Sequence, residues 1–231
     1  MALLPALVRP GEHIIDVGGN RGTYAYAFWR LGARVEVFEP NPACASVLRG
    51  WAANKAGLNI HAVALSSEAG LAPLHVPVDA DGTEHDASAS LEEAPTSARD
   101  YMVPLRQLDS FGFTDTSLIK IDVEGHESRV LEGAAATVAA SMPALIVEIE
   151  QRHNTRPIAQ VFRQIEDFGY HGFFLIDRKL APLANFEISK HQSIDAFTLK
   201  EGRYHNNFIF LGEARLGRGY YKDLAARWML T

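Results

Sequence analysis

The sequence predicts an α/β protein with a doubly wound, mostly parallel sheet and helices on both faces. Short apolar runs with almost no polar interruption fit strands buried on both sides. Apolar residues at i, i+3, i+4 and i+7 fall between those runs and fit amphipathic helices. The two patterns alternate along the chain instead of segregating, as a parallel sheet with crossover helices requires.

Taken in order, the strands are His13–Val17, Arg34–Phe38, Asn59–Val63, Ser117–Ile121 and Ala144–Glu148, with two more at Gly172–Ile176 and Asn207–Leu211. Tyr24, Ala27, Phe28 and Leu31 form one helix face, and Gly32 follows as a C-terminal stop. Asn41-Pro42 is an N-cap and first-turn pair for a helix carrying Val47, Leu48 and Trp51, which Gly57 ends. Val130, Leu131, Ala134 and Val138 mark a third helix. Pro157 opens a fourth, with Val161, Phe162, Ile165 and Phe168 on its buried face. From Pro77 to Arg99 the chain is acidic and poor in large apolar residues, which reads as a solvated loop or as a lid. With 231 residues this is one domain, its core over about 12–212 and a helical tail over 213–231.

Composition excludes several classes. The single cysteine, Cys44, allows neither an intrachain disulfide nor a cysteine metal cluster. The histidines show no HxxxH pair. With 22 basic against 28 acidic residues the net charge is −6, a poor match for a phosphate backbone, so no nucleic-acid partner is expected. The apolar opening Met1–Val8 is short and has no basic stretch before it, so neither a signal peptide nor a membrane span is expected and the location reads as cytoplasmic.

In open α/β sheets ligands bind beyond the carboxyl ends of the strands. Here Asp16, Glu39, Asp122 and Glu148 stand at or just after four such ends, which gathers carboxylates on one rim. Asp16-Val-Gly-Gly-Asn-Arg-Gly22 forms the first strand-to-helix turn. A dinucleotide fingerprint would need glycine at Asn20 and Thr23, and no GK[ST] follows, which argues against NAD and against a P-loop. Glu39, roughly 20 residues beyond Gly18, stands where an acid accepts ribose hydroxyls; capping the following helix is its alternative role. An acidic rim repels polyphosphates and suits S-adenosylmethionine, which carries an ammonium, a sulfonium and hydroxyl donors.

Ile15-Asp-Val-Gly-Gly-Asn-Arg-Gly22, Phe38-Glu-Pro-Asn-Pro42, Ala64-Leu-Ser66 and Ile119-Lys-Ile-Asp-Val-Glu-Gly-His-Glu127 together resemble the FkbM family of methyltransferases, over roughly Ile14 to Leu211. The resemblance implies a Rossmann-like class I methyltransferase fold whose seven-stranded sheet ends in an antiparallel strand. It implies S-adenosylmethionine as methyl donor and, in most relatives, an oxygen acceptor on a sugar or natural product, with nitrogen in peptides as the alternative. Asp16, Gly18, Asn20, Gly22, Glu39 and Ala64 are the expected cofactor contacts. Two departures stand out: Ser67 occupies a place that is often acidic in the family, with Glu68 one residue on, and the segment before the first strand is short. A cap over the acceptor site would then be missing or come from a partner.

Methyl transfer from a sulfonium is an in-line displacement, and a hydroxyl acceptor gains from a base. His126 is the preferred base because its ordinary pKa lies near neutrality. Asp122 would orient the acceptor or the methionine portion, or cap the next helix, and Glu148 would pair with His126 or bind an acceptor hydroxyl. Asp122 and Glu148 could instead share Mg²⁺, but no third ligand is evident and no metal site is assigned. His153 and Asn154 are further acceptor contacts or plain loop residues, and Glu124 and Glu127 complement a helix N-terminus. The acceptor is a small molecule or glycan, with a peptide as the alternative. An NAD-dependent oxidoreductase and a nonenzymatic cofactor-binding module are the competing readings. Nothing in the sequence sets the oligomeric state.

Overall fold

The computed structural model describes residues 2–92, 97–193 and 204–229. Eight strands form the main sheet: β1 (His13–Val17), β2 (Arg34–Phe38), β3 (Leu58–His61), β7 (Thr116–Ile121), β8 (Ala144–Glu148), β9 (Tyr170–Ile176), β10 (Lys179–Pro182) and β11 (Asn207–Gly212). Their spatial order is β10-β9-β11-β8-β7-β1-β2-β3. The pairs from β3 to β8 are parallel, and β11 is antiparallel to both of its neighbours. The expected seven strands are all present. The eighth, β10, folds back on β9 through Asp177 and Arg178, both at positive φ. Its run Lys-Leu-Ala-Pro is too short and polar to read as a strand from sequence.

Alternate residues of the central strands feed opposite cores. Ile14 packs with Phe28, Val35 and Leu118 on one side, while Ile15 and Val17 pack with Ile119, Leu131 and Phe208 on the other. Every residue of β1 and β7 is buried as a result, which is why those runs lack polar alternation. The first face is covered by α1 (Leu4–Leu7), α2 (Thr23–Arg30) and α3 (Pro42–Ala52). On α3, Asn41 caps as expected, accepting from the Ala43 N–H at 3.0 Å, but Val47 is turned to solvent. The second face carries α4 (Glu127–Glu132), α5 (Ala135–Ser141) and α6 (Ala159–Glu166). One continuous third helix was expected; instead the chain breaks between α4 and α5, where Asp109 accepts from the N–H groups of Ala136 and Thr137 at 2.9 and 2.8 Å and starts a new helix.

The stretch expected at Asn59–Val63 divides. β3 stops at His61, and β4 (Ala64–Leu65) joins a second sheet of order β4-β6-β5 with β5 (Gly70–Pro77) and β6 (Ala98–Arg106). This hairpin corrects the reading of Pro77–Arg99 as all loop, since Val76 pairs with Arg99 and Pro77 with Ala98. Pro73, Pro77 and Pro104 hid it, because proline marks a run as edge or non-strand. Within the connection, a 3₁₀ turn over Asp86–Ser88 and a bridge between His75 and Ser90 give the chain a fixed path. After α7 (Ile188–His191) and β11 come α8 (Glu213–Gly217) and α9 (Lys222–Trp228). The tail docks on its own domain, burying Tyr221 and Leu224 against the α1 face. Among the described residues no helix is long and apolar enough to cross a membrane.

Candidate active site

Strand order reverses around β1: the chain winds outward through β2 and β3, then returns to place β7 on the other side. A cavity of about 430 Å³ opens there, at the carboxyl ends of β1, β2, β7 and β8. The anticipated Asp16, Gly18, Asn20, Glu39, Ala64, Asp122, His126 and Glu148 all line it. Gly22 does not. It starts α2 at φ +86°, and a Cβ there would lie 2.8 Å from Leu48 Cδ2, so it serves the packing of α2 on α3. Gly18 is required for another close approach, since a Cβ would stand 1.8 Å from the Asp122 carbonyl oxygen. Its absence lets the β1 and β7 turns meet and form the floor.

Asp16 is buried, and its Oδ2 has no hydrogen-bond partner. Burial pushes its pKa up to about 7, opposed by Lys120 and reinforced by Asp122 and Glu39. Glu39 is likewise buried and rises to about 7, chiefly through desolvation. Its oxygens accept from the Asn20 N–H at 2.6 Å and the Asn41 N–H at 2.7 Å. The carboxylate thus ties the β1 turn to the start of α3 while still bordering the cavity.

Lys120 was missed by the sequence reading. It is fully buried at the centre of the sheet, with Nζ 3.1 Å from Asp122 Oδ2 and 4.9 Å from the centre of the Tyr24 ring. The signal was available: a lysine inside an apolar run, followed two residues later by an acid, needs that acid once both faces are covered. Tyr24 lines the cavity as well, and burial raises its pKa.

Of the two roles considered for Glu148, pairing with His126 is not the one its contacts support. Its Oε1 accepts from Asn206 Nδ2 at 2.7 Å and its Oε2 from Asn207 Nδ2 at 3.1 Å. Burial, then the charge of Asp122, pushes it up to about 7. Its neighbour Glu150 behaves oppositely. Burial opposes its ionisation, but hydrogen bonds from Arg152, Asn206 and Tyr204 outweigh that and lower it to about 2. Glu150 lies off the cavity lining, whereas Glu124 and Arg152 are part of it. Neither His153 nor Asn154 is on that lining. His153 pairs with Glu124 at 2.9 Å, and Asn154 donates to the Glu150 carbonyl at 3.0 Å. Glu127 accepts from the Gly125 N–H at 2.8 Å, the local capping role foreseen for it.

His126 sits on the cavity wall with both ring nitrogens engaged, Nδ1 at 2.8 Å from Glu92 Oε1 and Nε2 at 3.0 Å from Ser66 Oγ. To take a proton from an acceptor, the ring would have to release Ser66 from Nε2. Among the described residues no group of three or more His, Cys, Asp or Glu side chains is gathered for a metal ion.

An open, mostly parallel sheet with an antiparallel β11 and a carboxylate-rich cavity at its switch point defines a Rossmann-like class I methyltransferase fold. The sequence matches the methyltransferase FkbM domain over residues 16–172, so the chain belongs to the FkbM methyltransferase family. Among solved structures it resembles the methyltransferase FkbM from Methylobacillus flagellatus KT, with 16% identity and a TM-score of 0.53. That match covers 87% of this chain and 43% of the other, so the chain spans less than half of that protein's length. A TehB-like SAM-dependent methyltransferase from Corynebacterium glutamicum matches over 92% of this chain and 86% of its own, with 11% identity and a TM-score of 0.49. At 16% identity the likeness to the Methylobacillus flagellatus protein is one of fold. No curated protein matches the sequence.

Proposed function

We propose that this protein is an S-adenosylmethionine-dependent methyltransferase acting on a hydroxyl group of a sugar or other small natural product. One observation carries the proposal: carboxylates from four strand ends border a single cavity of about 430 Å³, a size suited to a cofactor and part of an acceptor. The donor set fits a cationic, hydroxyl-bearing ligand. The partnerless Oδ2 of Asp16 is a buried acceptor awaiting a donor, and Glu39 borders the cavity where ribose hydroxyls bind in this fold. Phe38, Val63, Ala64, Leu65, Leu74 and Leu91 offer an apolar slot for a flat base. When bound, S-adenosylmethionine supplies an electrophilic methyl group.

The chain's own work is placement and proton handling. Asp16, Asn20 and Glu39 would hold the cofactor, and Lys120 fixes Asp122 at the cavity floor. Glu148 is the better-placed base: it borders the cavity, both of its oxygens are oriented by amides, and its pKa of about 7 suits proton transfer near neutrality. Transfer of labelled methyl from S-adenosylmethionine to a panel of hydroxylated sugars and natural products tests the acceptor. Label recovered in an ether supports the reading, whereas label recovered only on nitrogen would replace it with N-methylation.

A further inference from the structure

The segment Asp86–Glu92 is tied to both banks of the cavity. On the β1 side, Asn20 Nδ2 donates to the Asp86 carbonyl at 3.0 Å, Arg21 pairs with the Asp86 carboxylate at 2.7 Å, and Asn41 Nδ2 donates to it at 3.3 Å. On the β7 side, Ser90 Oγ donates to the Glu124 carbonyl at 2.7 Å, and Glu92 pairs with His126 at 2.8 Å. Asp86, Ala87, Ser88, Ala89 and Leu91 line the cavity, so this segment is its outer wall.

We propose that His126 and Glu92 are a positioning pair whose contact seats the Asp86–Glu92 strap as the outer wall of the cofactor cavity. This deepens the reading given under Proposed function by assigning His126 a task other than proton transfer. A neutral imidazole has one donor and one acceptor nitrogen. With Nδ1–H donating to the Glu92 carboxylate and Nε2 accepting from the Ser66 hydroxyl, the ring is satisfied and bridges the strap to the β4 side of the cavity. The Ser-His-Glu arrangement resembles that of a hydrolase nucleophile, but Ser66 is buried and does not line the cavity, so it anchors the ring instead. The glutamate is about half exposed while the histidine is mostly covered, so the link is strong enough to hold the strap and weak enough to open for exchange.

The test uses the full chain and five proteins: wild type, His126→Ala, Glu92→Ala, the double alanine variant and His126→Gln, the last keeping a side-chain donor. Hydrogen exchange is followed at the Ser88, Ala89 and Ser90 amides, which bond to His85, Asp86 and His75 carbonyls. Both alanine variants should accelerate exchange there by about fivefold, with His126→Gln in between. S-adenosylmethionine should leave both alanine variants about fivefold faster than wild type, and the double alanine variant should add little to either single one. Exchange and release unchanged in both Glu92→Ala and His126→Ala would overturn the proposal. Wild type that fails to bind S-adenosylmethionine would instead sink the methyltransferase reading, and the exchange comparison would still judge the clasp.

Discussion

Three carboxylic acids around one cavity, Asp16, Glu39 and Glu148, are each lifted to about 7, with burial as the leading cause. In an unfolded chain they ionise near 4. Their folded pKa values are raised, so the stability they contribute is complete below about pH 4 and is lost as pH rises towards about 7. A cationic ligand reverses the preference by favouring the ionised forms. Binding of S-adenosylmethionine at pH 6.5 should therefore release protons and tighten as pH rises to 8. Calorimetry in two buffers of different ionisation enthalpy measures this, and an enthalpy independent of buffer would contradict it. Glu148→Gln keeps the side chain's shape and one of the two amide contacts but cannot take a proton. It should lower turnover by about 10²-fold or more with cofactor affinity nearly intact. Unimpaired turnover would remove Glu148 as base. Glu39→Ala should do the reverse, weakening cofactor binding by about tenfold as measured by titration.

At the scale of elements, Asp109 shows how one side chain shapes the layer over β7. It accepts three hydrogen bonds at the start of α5, from the N–H groups of Ala136 and Thr137 and from the Thr137 hydroxyl. Asp109→Ala should lower stability by about 1–2 kcal/mol in denaturant unfolding without altering the denaturant dependence. A loss below about 0.3 kcal/mol would show that packing alone starts that helix. This break was not legible from the run Val130–Val138, because helical periodicity continues across it and the capping acid lies far earlier in the chain. By contrast, β1 and β8 coincide with their apolar runs, since burial on both faces leaves a direct trace in sequence. The β5–β6 hairpin left no such trace: its prolines mask strand character, and its pairing partners lie on either side of an acidic connection.

For the whole molecule, the acidic rim was readable because strand ends converge in any open parallel sheet. What could not be read was which rim residues touch each other. The commitment of His126 to Glu92 and Ser66, and of Glu148 to Asn206 and Asn207, joins segments far apart in sequence. Lys120 is an intermediate case, visible as an anomaly in its strand but not as the partner of a particular acid. These carboxylates are proposed to form a site for S-adenosylmethionine. Calorimetric titration of the purified protein with S-adenosylmethionine, beside NAD as control, tests it most directly. The expected result is saturable binding of S-adenosylmethionine with one site per chain and no heat of binding with NAD. Absence of any S-adenosylmethionine binding, or preference for NAD, would contradict it.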